Sequence, residues 1–126
     1  MEDQKSEFGI KGVKRYFSIG ETIARMGDPA DGWFILLTGK VGVFKRDFTV
    51  AEFSGRGTVF GELGYILNIP RTATLQALEP TSVLFVNLPF DEVISKHPDF
   101  MKRILVSLAE RLAKTTDSWW ASSQNL

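Results

Sequence analysis

A short stretch between residues 60 and 77 carries groups that could together hold a phosphate and a sugar. Gly61 opens an apolar run that can form about two helical turns, and the first amides of such a helix point outward with the positive end of its dipole. That arrangement can seat a phosphate. Glu62 would repel a phosphate, but its carboxylate can accept hydrogen bonds from sugar hydroxyls. Further along, Arg71 can pair with phosphate oxygens through two parallel hydrogen bonds, which a lysine cannot make.

The order F-G-E-L, then six residues, then P-R-T-A-T resembles the phosphate-binding cassette of cyclic nucleotide-binding domains. The resemblance implies that Arg71 binds the cyclic phosphate and that Glu62 binds the ribose 2′-hydroxyl. It also implies that backbone amides near the Gly-Glu-Leu turn and just after the arginine complete the phosphate seat. Carried over residue by residue, these amide positions are Gly61, Leu63, Thr72 and Ala73.

A further resemblance lies near the end of the chain and bears on the base. The segment R-L-A-K-T-T is similar to a segment in the catabolite activator branch of the family, where a Thr-Ser pair touches the adenine. It implies purine contacts from Thr115 and Thr116 and favours cAMP, although both threonines also fit the polar end of an amphipathic helix. Trp119 or Trp120 could stack on the purine. Thr72 resembles the cGMP-dependent members, so cGMP is the alternative ligand.

Length and composition narrow the classes of function. The 126 residues suffice for one domain with its own core, and 44% hydrophobic with 24% charged residues is ordinary for a globular protein. With 15 basic and 15 acidic residues the net charge is zero, so no general attraction to nucleic acid or an anionic membrane is expected. The absence of cysteine excludes disulfides, a cysteine nucleophile and a thiolate metal site. No apolar run could span a bilayer or serve as a signal peptide, so we expect a cytoplasmic protein.

The elements that must position the cassette are predicted to be mainly β. Short apolar runs alternate with turn signals at the spacing of an antiparallel sandwich or barrel. The predicted strands are 13–19, 22–26, 33–38, 41–45, 49–53, 72–78 and 83–88. Pro70 is expected to stop the cassette helix. Two helices should follow, one at 90–96 and one from about 100 to 120 that Asp99 can cap.

We therefore predict an antiparallel jelly-roll β-sandwich or barrel with a short cassette helix and two C-terminal helices. The predicted organisation begins with a flexible N-terminal segment at 1–12. A cyclic nucleotide-binding domain at 13–120 follows, with its barrel at 13–88 and its C-terminal helices at 89–120. The tail is 121–126.

The sequence thus predicts a non-enzymatic domain that binds cAMP or cGMP and couples binding to movement of its C-terminal helices. A metal-dependent jelly-roll enzyme is disfavoured because the chain has one histidine, and no catalytic constellation, metal site or cofactor is predicted. No DNA-reading element is recognisable, so no direct contact with nucleic acid is expected. A heptad-like seam on the final helix suggests a homodimer or an unseen effector as partner; its residues are Met101, Leu105, Leu108, Leu112, Thr115 and Trp119. The alternative function is a ligand-free jelly-roll module used for protein–protein contacts.

Overall fold

The structure, a computed structural model, describes the backbone of residues 4–5, 8–46 and 48–124 and the side chains of 8–46 and 48–114. Within these residues the chain forms nine strands and three helices. In chain order they are β1 (Gln4–Lys5), β2 (Lys11–Phe17), β3 (Thr22–Ala24), β4 (Trp33–Thr38), β5 (Lys40–Lys45), β6 (Phe48–Ser54), β7 (Val59–Phe60), α1 (Glu62–Leu67), β8 (Thr74–Ala77), β9 (Thr81–Val86), α2 (Phe90–Lys96) and α3 (Pro98–Gln124). The prediction of a mainly β chain with a cassette helix and two C-terminal helices is confirmed.

The strands form two antiparallel sheets. One has the strand order β1-β2-β9-β4-β7, and the other has the order β3-β8-β5-β6. Most successive strands lie in different sheets, so the chain passes back and forth between the two layers. Short apolar runs separated by turns suit this path, because each strand needs only one apolar face towards the other sheet. The predicted antiparallel sandwich is therefore confirmed.

The core lies between the two sheets. Alternate residues of a strand point to the same face, so Phe34 and Leu36 of β4 both enter the core. The core cluster consists of Phe34, Leu36, Val41, Phe60, Leu75, Val83 and Phe85. The two central strands of the larger sheet, β4 and β9, are buried along nearly their whole length. Each large apolar side chain buried in this way stabilises the fold by about 1.5–3 kcal/mol.

The N-terminal strand β1 was not anticipated from the sequence. Gln4 pairs with Gly12 and Lys5 pairs with Lys11 at the edge of the five-stranded sheet. The expectation that residues 1–12 form a flexible segment stays a prediction. The sequence also predicts a two-residue turn at Asp47 and Phe48. Asp47 lies outside the described residues, and Phe48 already belongs to β6.

Residues Asp91–Leu126 form a compact unit separate from Met1–Phe90. In the described part of this second unit, Phe100 and Ile104 are buried one helical turn apart. The expected cap at Asp99 was wrong, since α3 begins at Pro98 and Asp99 lies in its first turn. Proline suits the first helical position because its φ is already helical. The carboxylate of Asp99, in the first turn, interacts favourably with the positive end of the helix dipole. No helix among the described residues has the length and apolarity needed to cross a bilayer.

Candidate functional site

The cassette helix α1 is short and is bounded by two left-handed residues. Gly61 caps its start with φ 72° and ψ 13°, and no side chain caps the helix there. Asn68 caps its end with φ 55° and ψ 48°, and its N–H donates to the carbonyl of Gly64. Asparagine tolerates this conformation better than most residues. The expectation that Pro70 stops the helix was therefore wrong, because the chain has already left the helix at Asn68.

The position of Gly61 requires glycine for two reasons. A positive φ costs other residues about 1–2 kcal/mol because Cβ approaches the following carbonyl. In addition, a Cβ built on Gly61 would lie 2.9 Å from Cδ2 of Phe34 and 3.0 Å from Nη1 of Arg71. The start of the cassette therefore lies directly against the guanidinium group that the sequence singled out.

Arg71 is almost fully buried, with 5% of its surface exposed. Its Nη1 donates to the carbonyl of Gly61 at 2.6 Å, and its Nη2 donates to the carbonyl of Gly32 at 2.9 Å and to Oδ1 of Asp31 at 3.4 Å. Its guanidinium carbon is 5.3 Å from the ring centroid of Phe34. Burial lowers the pKa of Arg71, and the carboxylate of Asp31 acts in the opposite direction. The group remains a cation because arginine is not deprotonated in proteins.

The backbone around Arg71 explains why strand β8 starts later than expected. The N–H of Arg71 donates to the carbonyl of Asp28, and the N–H of Gly27 donates to the carbonyl of Arg71. These two bonds commit Arg71 to the turn that follows β3, so the ladder of β8 begins at Thr74 rather than at the predicted Thr72. The turn at Gly27 and Asp28 and the segment that enters β8 are thereby held beside each other.

The remaining cassette positions surround α1 and the segment that enters β8. Glu62 is the first residue of α1 and is 2% exposed, whereas the side chain of Leu63 is 42% exposed. Thr72 is half-buried, and Ala73 is buried. Because Glu62 is buried to this extent, a ribose hydroxyl could reach its carboxylate only after a local rearrangement.

A cavity of about 350 Å³ opens beside Arg71. Its wall includes Asp31 and Phe34, together with Arg15 from β2 and Arg25 from the end of β3. Among the described residues, five of the predicted cassette positions do not line it: Gly61, Glu62, Leu63, Thr72 and Ala73. Arg71 is thus the cassette residue that reaches the cavity.

Sequence reasoning missed Asp31 and Gly32 as partners of Arg71. The sequence predicts only a turn at Asp31 and Gly32, before β4, which is what Asp-Gly usually indicates. Nothing local distinguishes this turn from others in the chain. The only available signal was the general rule that a buried cation needs a carboxylate or several carbonyl oxygens close by.

A family model of the cyclic nucleotide-binding domain matches residues 14–97, which are 84 of the 126 residues and include the whole cassette. The chain belongs to the cyclic nucleotide-binding domain family. The resemblance carried by the Gly-Glu-Leu and Pro-Arg-Thr-Ala segments is therefore confirmed at the level of the family.

Several solved structures are similar to this cyclic nucleotide-binding domain. The catabolite activator protein of Thermus thermophilus has a TM-score of 0.77 at 24% identity, over 89% of this chain and 55% of that protein's chain. The structure of cAMP-bound PfPKA-R has a TM-score of 0.67 at 25% identity, over 85% and 36% of the two chains. The regulatory subunit of a cAMP-independent protein kinase A from Trypanosoma brucei has a TM-score of 0.57 at 28% identity, over 60% and 28%. The domain thus spans about half, or less, of the length of these proteins.

The predicted purine contacts lie in a part of the domain that the structure describes only as backbone. Thr115 and Thr116 belong to α3, but their side chains are outside the described residues, as are those of Trp119 and Trp120. Their roles stay predictions. In the described part of α3, Leu105 and Leu112 are 59% and 68% exposed, so two positions of the predicted heptad-like seam face solvent.

Proposed function

We propose that this domain binds a cyclic nucleotide at the cassette, with cAMP preferred and cGMP as the alternative. The observation that carries the proposal is the buried guanidinium group of Arg71, which is hydrogen-bonded to the carbonyl of Gly61 at the start of α1. A buried cation at the start of a cassette suits a ligand that brings its own negative charge.

Each cassette group has a role in this proposal. Arg71 pairs with the cyclic phosphate, and the amides of Gly61, Leu63, Thr72 and Ala73 complete the seat around it. The carboxylate of Glu62 accepts a hydrogen bond from the ribose 2′-hydroxyl. Purine contacts would come from Thr115 and Thr116. Like the roles of the cassette residues, these contacts are carried over from the family resemblance. No chemical step is assigned to any of these residues, so the proposed role is regulatory rather than enzymatic.

We further propose that the ligand changes the position or order of the C-terminal helices. Such a change requires that the ligand binds one arrangement more tightly than the other. A purine that contacted the end of α3 as well as the cassette would supply that difference. The output partner would then be a second copy of the chain that uses the exposed face of α3, or an effector protein.

The experiment is a calorimetric titration of the purified chain with cAMP, cGMP and, as an acyclic control, 5′-AMP. We expect cAMP to bind most tightly. Arg71→Lys should weaken cAMP binding at least tenfold, because lysine cannot make two parallel bonds to phosphate and one charge-assisted bond is worth about 1.5–3 kcal/mol. The matched control is Arg46→Lys at an exposed position, which should leave affinity unchanged. Urea unfolding of each variant checks that the fold is retained.

The hydrogen bonds and burial of Arg71 are also compatible with the second candidate function, a ligand-free module for protein–protein contacts. The guanidinium of Arg71 already has three protein oxygens as partners, and Arg71 and Glu62 are both almost fully buried. A ligand-free module for protein contacts would also have these features. One similar structure is that of a cAMP-independent protein, so the titration must also allow for the absence of cAMP binding. If the unaltered chain binds neither cyclic nucleotide at millimolar concentration, the ligand-free module is the correct function.

A further inference from the structure

Two arginines outside the cassette line the same cavity as Arg71. Arg15 and Phe17 are two residues apart on β2, so their side chains leave the strand on the same face. Phe17 packs against the core, so this is the inner face of the strand. The guanidinium carbon of Arg15 is 3.9 Å from the ring centroid of Phe85, the distance of a cation–π contact. Arg25 follows the last residue of β3 and is exposed. Both side chains contribute to the cavity wall.

Two neighbouring aromatic rings lie next to Arg15 and Arg71, and one of them, Phe34, lines the cavity. The rings of Phe34 and Phe85 are neighbours, with centroids 5.3 Å apart. Arg15 stands over one ring and Arg71 over the other. The guanidinium groups of Arg15 and Arg71 therefore lie over neighbouring rings, and both residues line the cavity.

The two arginines differ in how their charge is compensated. Arg71 donates to the carbonyls of Gly61 and Gly32 and to Asp31. In the part of the chain whose side chains are described, neither Arg15 nor Arg25 has a carboxylate within ion-pair distance or a side-chain hydrogen bond. Their N–H groups are available to a ligand.

The balance of charge around the cavity defines the class of ligand. Its wall carries three guanidinium groups, those of Arg15, Arg25 and Arg71, against the two carboxylates of Asp28 and Asp31. The excess is one positive charge, which favours an anionic ligand with a single oxyanion group over a polyphosphate. The remaining wall is apolar, from Ile23, Ala24, Pro29 and Phe34. The volume of about 350 Å³ is within the range of small-molecule sites.

We propose that this cavity binds a small organic molecule with one oxyanion, a phosphate monoester or a carboxylate, through Arg15 and Arg25, with its apolar body against Phe34. Guanidinium groups bind such oxyanions through paired hydrogen bonds. The site goes beyond the proposed cyclic nucleotide function, because neither arginine belongs to the cassette. Arg71 lines this cavity and also belongs to the proposed cyclic nucleotide site, so it is common to both sites.

The test is titration of the full chain with phenyl phosphate and benzoate, which carry the two oxyanions on a planar apolar body, and with neutral benzyl alcohol. Binding is followed by calorimetry and by amide chemical shifts. We expect both anions to bind and to shift the amides of Arg15, Ile23 and Asp31, and benzyl alcohol to bind at least tenfold more weakly. The double variant Arg15→Gln, Arg25→Gln should lose at least tenfold in affinity for the anions. Arg15→Lys, Arg25→Lys keeps the charge and should lose less.

The matched control is Lys11→Gln, Lys45→Gln, which removes the same two charges from exposed strand positions outside the cavity. An equal loss in both glutamine variants would mean attraction by net charge alone and would overturn the proposal, as would the absence of anion binding by the unaltered chain. Titration of the same proteins with cAMP separates the two functions. If Arg71→Lys abolishes cAMP binding but leaves phenyl phosphate bound, both proposals stand. If no cyclic nucleotide binds while phenyl phosphate does, only the cassette function fails.

Discussion

Replacing Gly61 by alanine tests whether the start of the cassette and Arg71 act as one unit. The new Cβ would lie 2.9 Å from Cδ2 of Phe34 and 3.0 Å from Nη1 of Arg71. Phe34 is buried in the core cluster and stacks on Phe60 with ring centroids 5.1 Å apart, so its ring has little room to move. We therefore expect the guanidinium group of Arg71 to give way, which would break its 2.6 Å hydrogen bond to the carbonyl of Gly61.

Two costs add in this variant. The left-handed backbone at φ 72° costs an alanine about 1–2 kcal/mol. Loss of the hydrogen bond from the charged guanidinium costs about 1.5–3 kcal/mol. The free energy of unfolding should therefore fall by about 2.5–5 kcal/mol in total, estimated from these two effects. A guanidinium displaced from its position should also weaken cAMP binding by at least about tenfold, which corresponds to about 1.4 kcal/mol.

Gly20→Ala provides the matched control. Gly20 also has a positive φ of 87°, but no atom lies within 4 Å of the position its Cβ would take. This variant should lose only the backbone term of about 1–2 kcal/mol and should bind cAMP normally. The small gain from restricting the unfolded chain is common to both variants and cancels in the comparison. Urea unfolding and calorimetry measure the two quantities. If both variants lose the same stability and neither loses affinity, the coupling of Gly61 to Arg71 is refuted.

Three further predictions concern other parts of the domain. Glu62→Gln should weaken cAMP binding about fivefold, because a neutral acceptor makes a weaker bond, and should leave 2′-deoxy-cAMP almost unaffected; equal losses for both ligands would exclude a ribose contact. Tyr65→Phe removes the hydroxyl that donates to the carbonyls of Leu88 at 2.7 Å and Asn87 at 3.2 Å. The free energy of unfolding in urea should therefore fall by about 0.5–1.5 kcal/mol. The control is Tyr16→Phe, whose side chain is exposed and whose loss should leave stability unchanged. Burial raises the pKa of Tyr65, so its contribution is present below about pH 10 and is lost as the pH rises through the folded-state pKa, and the variant should lack this alkaline loss. Deletion from Thr115 onward should leave a folded sandwich but reduce the difference between cAMP and cGMP in calorimetry, whereas an unchanged difference would remove the purine contacts from α3.

Local signals predicted the elements of this domain well. The apolar run Trp33–Thr38 and the helix Phe90–Lys96 have the predicted bounds, because each is delimited by turn residues or proline next to it in the sequence. The family resemblance implied that Arg71 and Gly61 contribute to one phosphate seat, and in the structure a 2.6 Å hydrogen bond joins them. Whether the cassette positions bind a ligand stays a prediction that the titrations above address.

The errors have a common physical origin in contacts between distant parts of the chain. Strand β8 begins at Thr74 because the backbone of Arg71 bonds to Gly27 and Asp28, which no local pattern reveals. The cassette helix ends at Asn68 because that residue adopts a left-handed conformation, a choice that asparagine permits but does not dictate. The carboxylate of Asp31 is 40 residues from Arg71 in sequence. The general rule requires a partner for a buried cation, but the sequence does not indicate which residue that partner is.

The partners of Arg71 also determine how a phosphate could bind. A guanidinium group has five N–H donors, and within the described residues three hydrogen bonds to protein oxygens use part of this set. The bonds to the carbonyls of Gly61 and Gly32 are short, whereas the contact with Asp31 is 3.4 Å long and its carboxylate side chain is 75% exposed. Because the carboxylate of Asp31 is mostly in water, solvent screens this long contact and would hydrate the carboxylate once it is released. We therefore expect an incoming phosphate to displace Asp31 and to leave both carbonyl bonds in place. The two carbonyls would then keep the guanidinium plane fixed while the cation exchanges a long, hydrated contact for a charge-assisted pair with the ligand.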